Sequence, residues 1–274
     1  MTAFNSCYVL MDDARENIKV LKHQLQEYAK SQPFEFSGEE APGGLTICRA
    51  RLKGPIPSQF SVLVKSILSN IRAALDHAGY ITAKSISGER EPKRTHFPFS
   101  KTQDNFQNVV NRKSADIPPD ILRVMEWFEP WSNADQGDLL YTLSNARNIG
   151  EHQKLLPFAA LAGETTIRLK TETERVHHLN SIGEGPYHLP VVYKIEWNEA
   201  GYFDLCLIDQ RVTSILGIEA RFMLTLSGVS QAKSMPVDYF LEEVWRIATT
   251  ILIAIHIESD RLKLFESQPD GEKP

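Results

Sequence analysis

The residues best suited to chemistry lie near the middle of the chain, in the segment RNIGEH at residues 147–152. Arg147 and His152 are five residues apart, which on an unbroken α-helix is a rotation of about 140° and turns them to different sides. Gly150 lies between them and favours a break, because helices commonly end at glycine. A helix that ended and restarted here would bring the guanidinium and the imidazole to one cleft. The backbone N–H groups at the new helix start would then attract an anion.

The same segment also fits an ordinary structural role. Asn148 and Glu151 have the spacing of a helix N-cap and its partner in the first turn. In this interpretation Arg147, Glu151 and His152 form hydrogen bonds and ion pairs between neighbouring helices. The residue types alone leave both interpretations open.

A second segment, RAALDH, begins at Arg72 and repeats the spacing of an arginine and a histidine. It falls inside a long predicted helix, and the segment itself contains no glycine or proline that would break the helix. Arg72 and Asp76 are predicted on the face opposite the buried stripe, as a surface ion pair at i,i+4. Asn70 and His77 are predicted on the flank of that stripe, facing another helix. The helix that carries His152 is the candidate neighbour.

The pattern Arg147-Asn148-x-x-x-His152 resembles the R-x4-6-H motif of HEPN-domain proteins, many of which are RNA-cleaving toxins or antiviral effectors. The resemblance implies that His152 transfers a proton at a ribose 2′-hydroxyl and that Arg147 holds the scissile phosphate. Asn148 would orient both side chains. It also implies a helical bundle that forms a homodimer.

The HEPN resemblance further implies RNA as a partner and chemistry that needs neither metal nor cofactor. Asn70, His77 and Glu151 are expected to contribute to binding around the three catalytic candidates. The chain departs from the family at two places. Some HEPN toxins carry tyrosine two residues after the histidine, where this chain has Lys154, and the β-rich segment 165–226 is not part of a minimal HEPN domain.

A wider resemblance takes in three features: a helix with the sequence ALDH, a loop with the sequence FP, and the later helix that carries His152. Together they are similar to a group of uncharacterised bacterial proteins with no established activity. In that group the second histidine often follows Asp-Lys in an N-x-D-K-H pattern. Asn148 and His152 match this pattern, whereas Gly150 and Glu151 depart from it. Arg147 is not required by it.

The composition is that of an ordinary globular protein, with 274 residues, 42% apolar and 24% charged. The formal net charge of −5 argues against a general nucleic-acid coat protein, whose surface is usually basic. Residues 84–96 are still predicted to form a local basic patch. This segment contains four Lys or Arg residues and two Glu residues, and His96 is not included in that count. This patch is a candidate for phosphate contact.

A cytoplasmic, membrane-independent protein is expected. The three cysteines are widely spaced and odd in number, which argues against a disulfide framework. The N-terminus lacks the basic start and apolar run of a secretory signal. The most apolar segment, residues 244–257, is shorter than the roughly 20 residues needed to span a bilayer.

Hydrophobic periodicity predicts an α+β fold: a multi-helix bundle packed with an antiparallel β-sheet and closed by a long C-terminal helix. A single compact domain is expected over residues 1–267, with a helical part to about 160, a β-rich part to about 230 and a disordered tail at 268–274. Helices are predicted at residues 11–30, 58–84, 102–112, 119–128, 135–149 and 236–265. Strands are predicted at 34–36, 45–52, 165–173, 191–197, 202–208 and 218–226, with a hairpin at 198–201.

Other histidines carry weaker predictions. His177, His178 and His188 would hold a metal only if His96 or a carboxylate converged on them. His256 is predicted to be a hydrogen-bonded core histidine. The chain lacks the Walker, GxGxxG, HExxH and GxSxG motifs, which excludes the commonest sequence-visible NTPases, dinucleotide enzymes, zincins and hydrolases.

The expected function is therefore that of a HEPN-like protein that binds RNA or cleaves it without metal, in a toxin or phage-defence system. The alternative is a non-enzymatic interaction or structural protein in which Arg147 and His152 only pack helices together.

Overall fold

Six α-helices and six β-strands make up the described part of the computed structural model, which covers residues 3–41, 45–132, 137–152, 158–171, 176–180, 202–209, 212–226 and 235–265. The helices are α1 (Asn5–Lys30), α2 (Ser58–Ile86), α3 (Phe106–Val109), α4 (Pro119–Trp127), α5 (Gly137–His152) and α6 (Val237–Arg261). The strands are β1 (Phe34–Ala41), β2 (Leu45–Leu52), β3 (Phe158–Thr171), β4 (Val176–Asn180), β5 (Tyr202–Asp209) and β6 (Val212–Leu226). The predicted α+β class is confirmed.

The three long helices α1, α2 and α6 pack against one another and enclose the main apolar core. Each carries a stripe of buried side chains at helical spacing, as an amphipathic helix must. On α2 the stripe predicted from Phe60 to Ile81 is buried as far as Ala78, and Ile81 at its end is half-buried. Each large aliphatic side chain removed from water in this way contributes about 1.5–3 kcal/mol.

The two shorter helices α4 and α5 cover one side of this bundle. Ile121 and Met125 of α4 and Leu140 and Leu143 of α5 are buried in the same core as α6. Both helices contact α6, and α5 also contacts α2. This packing places α5, the helix that carries the predicted site, beside α2.

The strands form two antiparallel three-stranded sheets, in the orders β1-β2-β5 and β4-β3-β6. In the first sheet Phe34 pairs with Leu52 at the start of β1. In the second, β3 and β6 pair along most of their length, starting from Phe158 opposite Leu226. Leu226 is fully buried in the core of the bundle, so the end of β6 joins the helices.

Most predicted elements are present with shifted ends. The helix predicted at 102–112 is a short α-helix, α3, followed by a π-helical turn over Val110–Ser114. The strand predicted at 165–173 begins earlier, at Phe158. The strand at 191–197, the hairpin at 198–201 and the tail at 268–274 lie outside the described residues. Within the described ranges, no helix is both long and apolar enough to cross a membrane.

The C-terminal helix ends four residues before its predicted boundary. Lys263 adopts a left-handed conformation with φ of 55°. Its N–H donates to the carbonyl oxygen of Asp260 at 3.0 Å, and the N–H of Leu264 donates to that of Ser259 at 3.1 Å. These two bonds form a Schellman motif, which satisfies the last carbonyls of the helix.

Candidate functional site

The predicted site on α5 lies on one continuous helix. The α-helical backbone runs from Gly137 to His152 without interruption, so the prediction that the helix breaks at Gly150 is wrong. A glycine inside a helix costs only about 1 kcal/mol relative to alanine, and continued hydrogen bonding on both sides outweighs that cost. The positions of Arg147 and His152 are therefore about 140° apart around the helix axis.

The side chains of residues 146–152 lie outside the described part of the structure. The roles of Arg147, Asn148, Glu151 and His152 in catalysis, binding or helix packing accordingly stay predictions. What the structure does describe is how the preceding turn of α5 is held.

Arg72 holds α5 against α2. Its Nη1 donates a hydrogen bond to the Oγ of Ser144 on α5 at 3.1 Å, and its Nε donates to the Oδ2 of Asp76 at 3.1 Å. The guanidinium also stacks on the ring of Phe99, with Cζ 4.0 Å from the ring centroid. Only 8% of Arg72 is exposed.

The prediction of a surface ion pair at Arg72 and Asp76 is therefore only half right. The pair forms at the predicted i,i+4 spacing. It does not lie on the surface, because α5 and the segment 97–99 cover this face of α2. The spacing of apolar residues along α2 cannot show that α5 and the segment 97–99 cover this face.

Asp76 is the centre of a small polar cluster. Its Oδ1 accepts a hydrogen bond from the backbone N–H of Phe97 at 2.8 Å, and its Oδ2 faces Nδ1 of His96 at 3.3 Å. A carboxylate beside Nδ1 favours the tautomer that carries its proton there, which leaves Nε2 as the proton acceptor. The His96 side chain is 57% exposed. The cluster thus places an exposed imidazole beside a carboxylate.

His96 and Asp76 are not among the predicted site residues. The available signal was their place in the sequence, since His96 directly precedes the FP loop and Asp76 belongs to the ALDH helix. Only tertiary contact shows that the two features meet.

Asn70 and His77 do face another helix, but that helix is α1 rather than α5. Asn70 donates to Oδ2 of Asp13 at 2.5 Å, and His77 Nδ1 lies 3.1 Å from Oγ of Ser6. The prediction that they face the helix bearing His152 is wrong. Helices α1 and α5 lie on different sides of α2, and the α5 side is taken by Arg72.

The loop that follows α2 carries His96. It is held at Glu91 and again at Thr95. Near its start, the Tyr80 hydroxyl donates to Glu91 at 2.6 Å and Lys84 Nζ donates to the same carboxylate at 2.9 Å. The hydrogen bond to the Glu91 carboxylate raises the pKa of Tyr80 above its ordinary value, and the same bond lowers the pKa of Glu91.

The backbone at Thr95, next to His96, packs closely against α2 at Gly79. A Cβ at Gly79 would meet the carbonyl oxygen of Thr95 at 2.3 Å and Cδ1 of Ile117 at 2.9 Å. Glycine is therefore required where the backbone beside His96 crosses α2.

Residues 93–96 run beside residues 111–116. The N–H of His96 donates to the carbonyl of Lys113 at 2.9 Å, and the N–H of Asp116 donates to the carbonyl of Arg94 at 3.0 Å. Asp116 also accepts hydrogen bonds from the backbone N–H groups of Lys93 and Arg94, at 2.9 and 3.1 Å. These donors stabilise the carboxylate and lower the pKa of Asp116 from 3.8 to about 2.

Of the remaining histidines, His256 is half-buried between α6 and α1 and hydrogen-bonded to the Tyr8 hydroxyl at 3.0 Å. The side chains of His177, His178 and His188 lie outside the described part of the chain, so their proposed part in a metal site is a prediction still. Among the side chains that are described, no three His, Cys, Asp or Glu residues are grouped so that they could hold a metal ion.

Comparison with protein-family models, with curated proteins and with solved structures found no match for this chain. A functional conclusion therefore has to come from the residues of the site.

Proposed function

We propose that this protein binds RNA and cleaves it without a metal ion, using histidine for proton transfer. The observation that carries the proposal is the chain of contacts from His96 through Asp76 and Arg72 to Ser144. It places an exposed imidazole beside a carboxylate and links that carboxylate to α5, the helix with the HEPN-like motif. A histidine next to a carboxylate that is itself held in place is an arrangement suited to general base catalysis.

The proposed reaction has two proton transfers. Nε2 of His96 takes the proton of a ribose 2′-hydroxyl, and the oxygen attacks the adjacent phosphorus. A P–O bond forms to the 2′-oxygen and the bond to the 5′-oxygen breaks, which leaves a 2′,3′-cyclic phosphate. A second group protonates the departing 5′-oxygen, and His152 is the proposed acid. Arg147 is proposed to hold the scissile phosphate and Asn148 to orient the side chains of Arg147 and His152, as the HEPN resemblance implies.

The same resemblance supports a homodimer in a toxin or phage-defence system, and the cysteine usage of the chain supports a cytoplasmic location. Glu151 is retained as a proposed binding residue, whereas Asn70 and His77 are not. The contacts of Asn70 and His77 with α1 leave them on the side of α2 away from Arg72.

The test is cleavage of labelled single-stranded RNA in excess EDTA by the wild type and three histidine variants. His96→Ala should lower the rate by about 100-fold or more, which is the usual contribution of a general base. His152→Ala should lower it by a similar factor. His23→Ala is the matched control, because His23 is exposed on α1 and far along the chain from the site. Equal cleavage by the wild type and His96→Ala would exclude His96, and a wild type that neither binds nor cleaves RNA would exclude the function.

A non-enzymatic interaction protein is the second candidate, and exposed apolar side chains favour it. On α6, Ile253 and Ile257 are 46% and 65% exposed one turn apart, and Trp127 at the end of α4 is 77% exposed. Clustered apolar exposure is typical of interaction surfaces. In that case the wild type would be inactive on RNA, and Ile257→Asp would reduce any self-association measured by light scattering.

A further inference from the structure

We propose that residues 93–96 and 111–116 form a phosphate-binding strip, here called the basic strip, that holds the RNA backbone beside His96. This inference rests on the proposed function and says where its substrate is bound.

The basic strip is one continuous surface because its two segments are joined by hydrogen bonds. Besides the two backbone bonds, Oγ of Ser114 donates to the carbonyl oxygen of His96 at 2.5 Å, and Arg94 Nη1 donates to the carbonyl oxygen of Asn111 at 3.4 Å. The pairing therefore brings two cation-bearing segments together at the backbone of His96.

The charge of the basic strip is opposite to that of the whole protein. It contains four cations, Lys93, Arg94, Arg112 and Lys113, and one carboxylate, Asp116, in a chain whose formal net charge is −5. All four cations are exposed. The carboxylate of Asp116 has its partners within the strip. It accepts hydrogen bonds from two backbone N–H groups and forms an ion pair with Arg94 at 3.1 Å. Among the described side chains, Lys93, Arg112 and Lys113 form no ion pair with a carboxylate.

The exposed residues of the basic strip favour RNA over a membrane surface. They are polar except for Ala115, and the apolar side chain of Ile117 that follows is buried. A peripheral membrane site gains much of its binding strength from an apolar face that inserts, which is lacking in this part of the surface. A chain of phosphates needs only cations, and the ribose 2′-hydroxyl gives the neighbouring imidazole a group to act on.

The experiment measures binding separately from cleavage by using single-stranded 2′-O-methyl RNA, whose blocked 2′-oxygen cannot attack. Fluorescence anisotropy gives the affinity of the wild type and of the triple variant Lys93→Ala, Arg112→Ala, Lys113→Ala over a range of salt concentrations. The control is the triple variant Lys19→Ala, Lys30→Ala, Arg123→Ala. It removes three exposed cations that each pair with a carboxylate on their own helix, so the net charge changes equally.

The basic-strip variant should bind at least about tenfold more weakly at moderate salt, because three phosphate contacts are lost. Its plot of log affinity against log salt should also be less steep by about 2, since each contact to a single strand contributes about 0.7. The control variant should keep the slope of the wild type. Circular dichroism checks that both variants are folded.

Equal weakening by both triple variants would mean that only overall charge matters and would overturn the basic strip. RNA binding that the basic-strip variant retains in full would also overturn it, while the proposed function would stand. A wild type that binds phosphatidylserine vesicles and not RNA would overturn both.

Discussion

Arg72 on α2 donates a hydrogen bond to Ser144 on α5, with 3.1 Å between Nη1 and Oγ. This bond sets the rotation of α5 about its own axis. At 100° per residue, the positions of Asn148 and Glu151 lie within about 40° of Ser144, on the side of the helix toward α2. The positions of Arg147 and His152 lie about 60° and 80° to either side. The HEPN-like motif therefore straddles the face that meets α2.

Removing the charge of Asp76 should destabilise the fold. Arg72 is buried, and Asp76→Asn would remove the charged partner that its Nε contacts at 3.1 Å, which costs about 3 kcal/mol of unfolding free energy. Urea denaturation measures the change. Asp120→Asn is the control, because Asp120 pairs with the exposed Arg123 and such pairs contribute about 0.5 kcal/mol. Equal losses for the two variants would mean that the Arg72 pair is no stronger than a surface pair.

A methyl group at Gly79 should displace the segment that holds His96. Gly79→Ala places Cβ against the Thr95 carbonyl, and such overpacking costs about 1–3 kcal/mol. If His96 acts in cleavage, the variant should also lose RNA-cleaving activity while it stays folded. Gly54→Ala is the matched control, because a Cβ there meets no atom within 4 Å. A fully stable Gly79→Ala protein would show that the backbone can move aside at no cost.

Acid should weaken the pairing between residues 93–96 and 111–116 through Asp116. The folded-state pKa of Asp116, about 2, lies below its ordinary 3.8, so the carboxylate stabilises the fold fully above the ordinary value. That stabilisation is lost as the pH falls from about 4 toward 2. The difference in unfolding free energy between the wild type and Asp116→Asn should therefore be largest near neutral pH and shrink in acid. Asp104→Asn controls for the change in net charge, and a difference independent of pH would contradict the prediction.

A glycine should fit the end of α6 better than any other residue. Lys263 is left-handed, a conformation that costs an L-residue roughly 1 kcal/mol and costs glycine nothing. Lys263→Gly should therefore be more stable than Lys263→Ala by about 0.5–1 kcal/mol in thermal or urea unfolding. Comparing these two variants removes the same side-chain contacts from both and isolates the backbone effect. An alanine variant as stable as the glycine variant would mean that the helix end relaxes.

Local sequence patterns determined the elements of this protein well. The stripe from Phe60 to Ala78 on α2 depends only on helical spacing, and it is buried as predicted. Strands β2 and β5 likewise fall where apolar and β-branched residues indicate them. Such patterns are readable because burial of an amphipathic face follows from the spacing of neighbours along the chain.

The local signals failed where a competing force came from elsewhere in the fold. Gly150 suggested a helix end, yet α5 continues past it. Arg72 lay opposite the apolar stripe of α2 and was predicted at the surface, yet Ser144 and Phe99 cover it. A glycine inside a helix, and a surface ion pair, each change the free energy of folding by only about 1 kcal/mol or less. Packing and hydrogen bonding between elements readily exceed that amount.

The sequence by itself determined the α+β class, the buried faces of the long helices and the presence of a local basic segment before the FP loop. Only the tertiary structure decided that His96 meets Asp76, that Arg72 is buried, and that residues 111–116 add their cations to that segment. The physical reason is distance along the chain. His96 and Asp76 are 20 residues apart in the chain, and Arg72 and Ser144 are 72 residues apart. No spacing rule connects such residues, and their meeting depends on how whole helices pack.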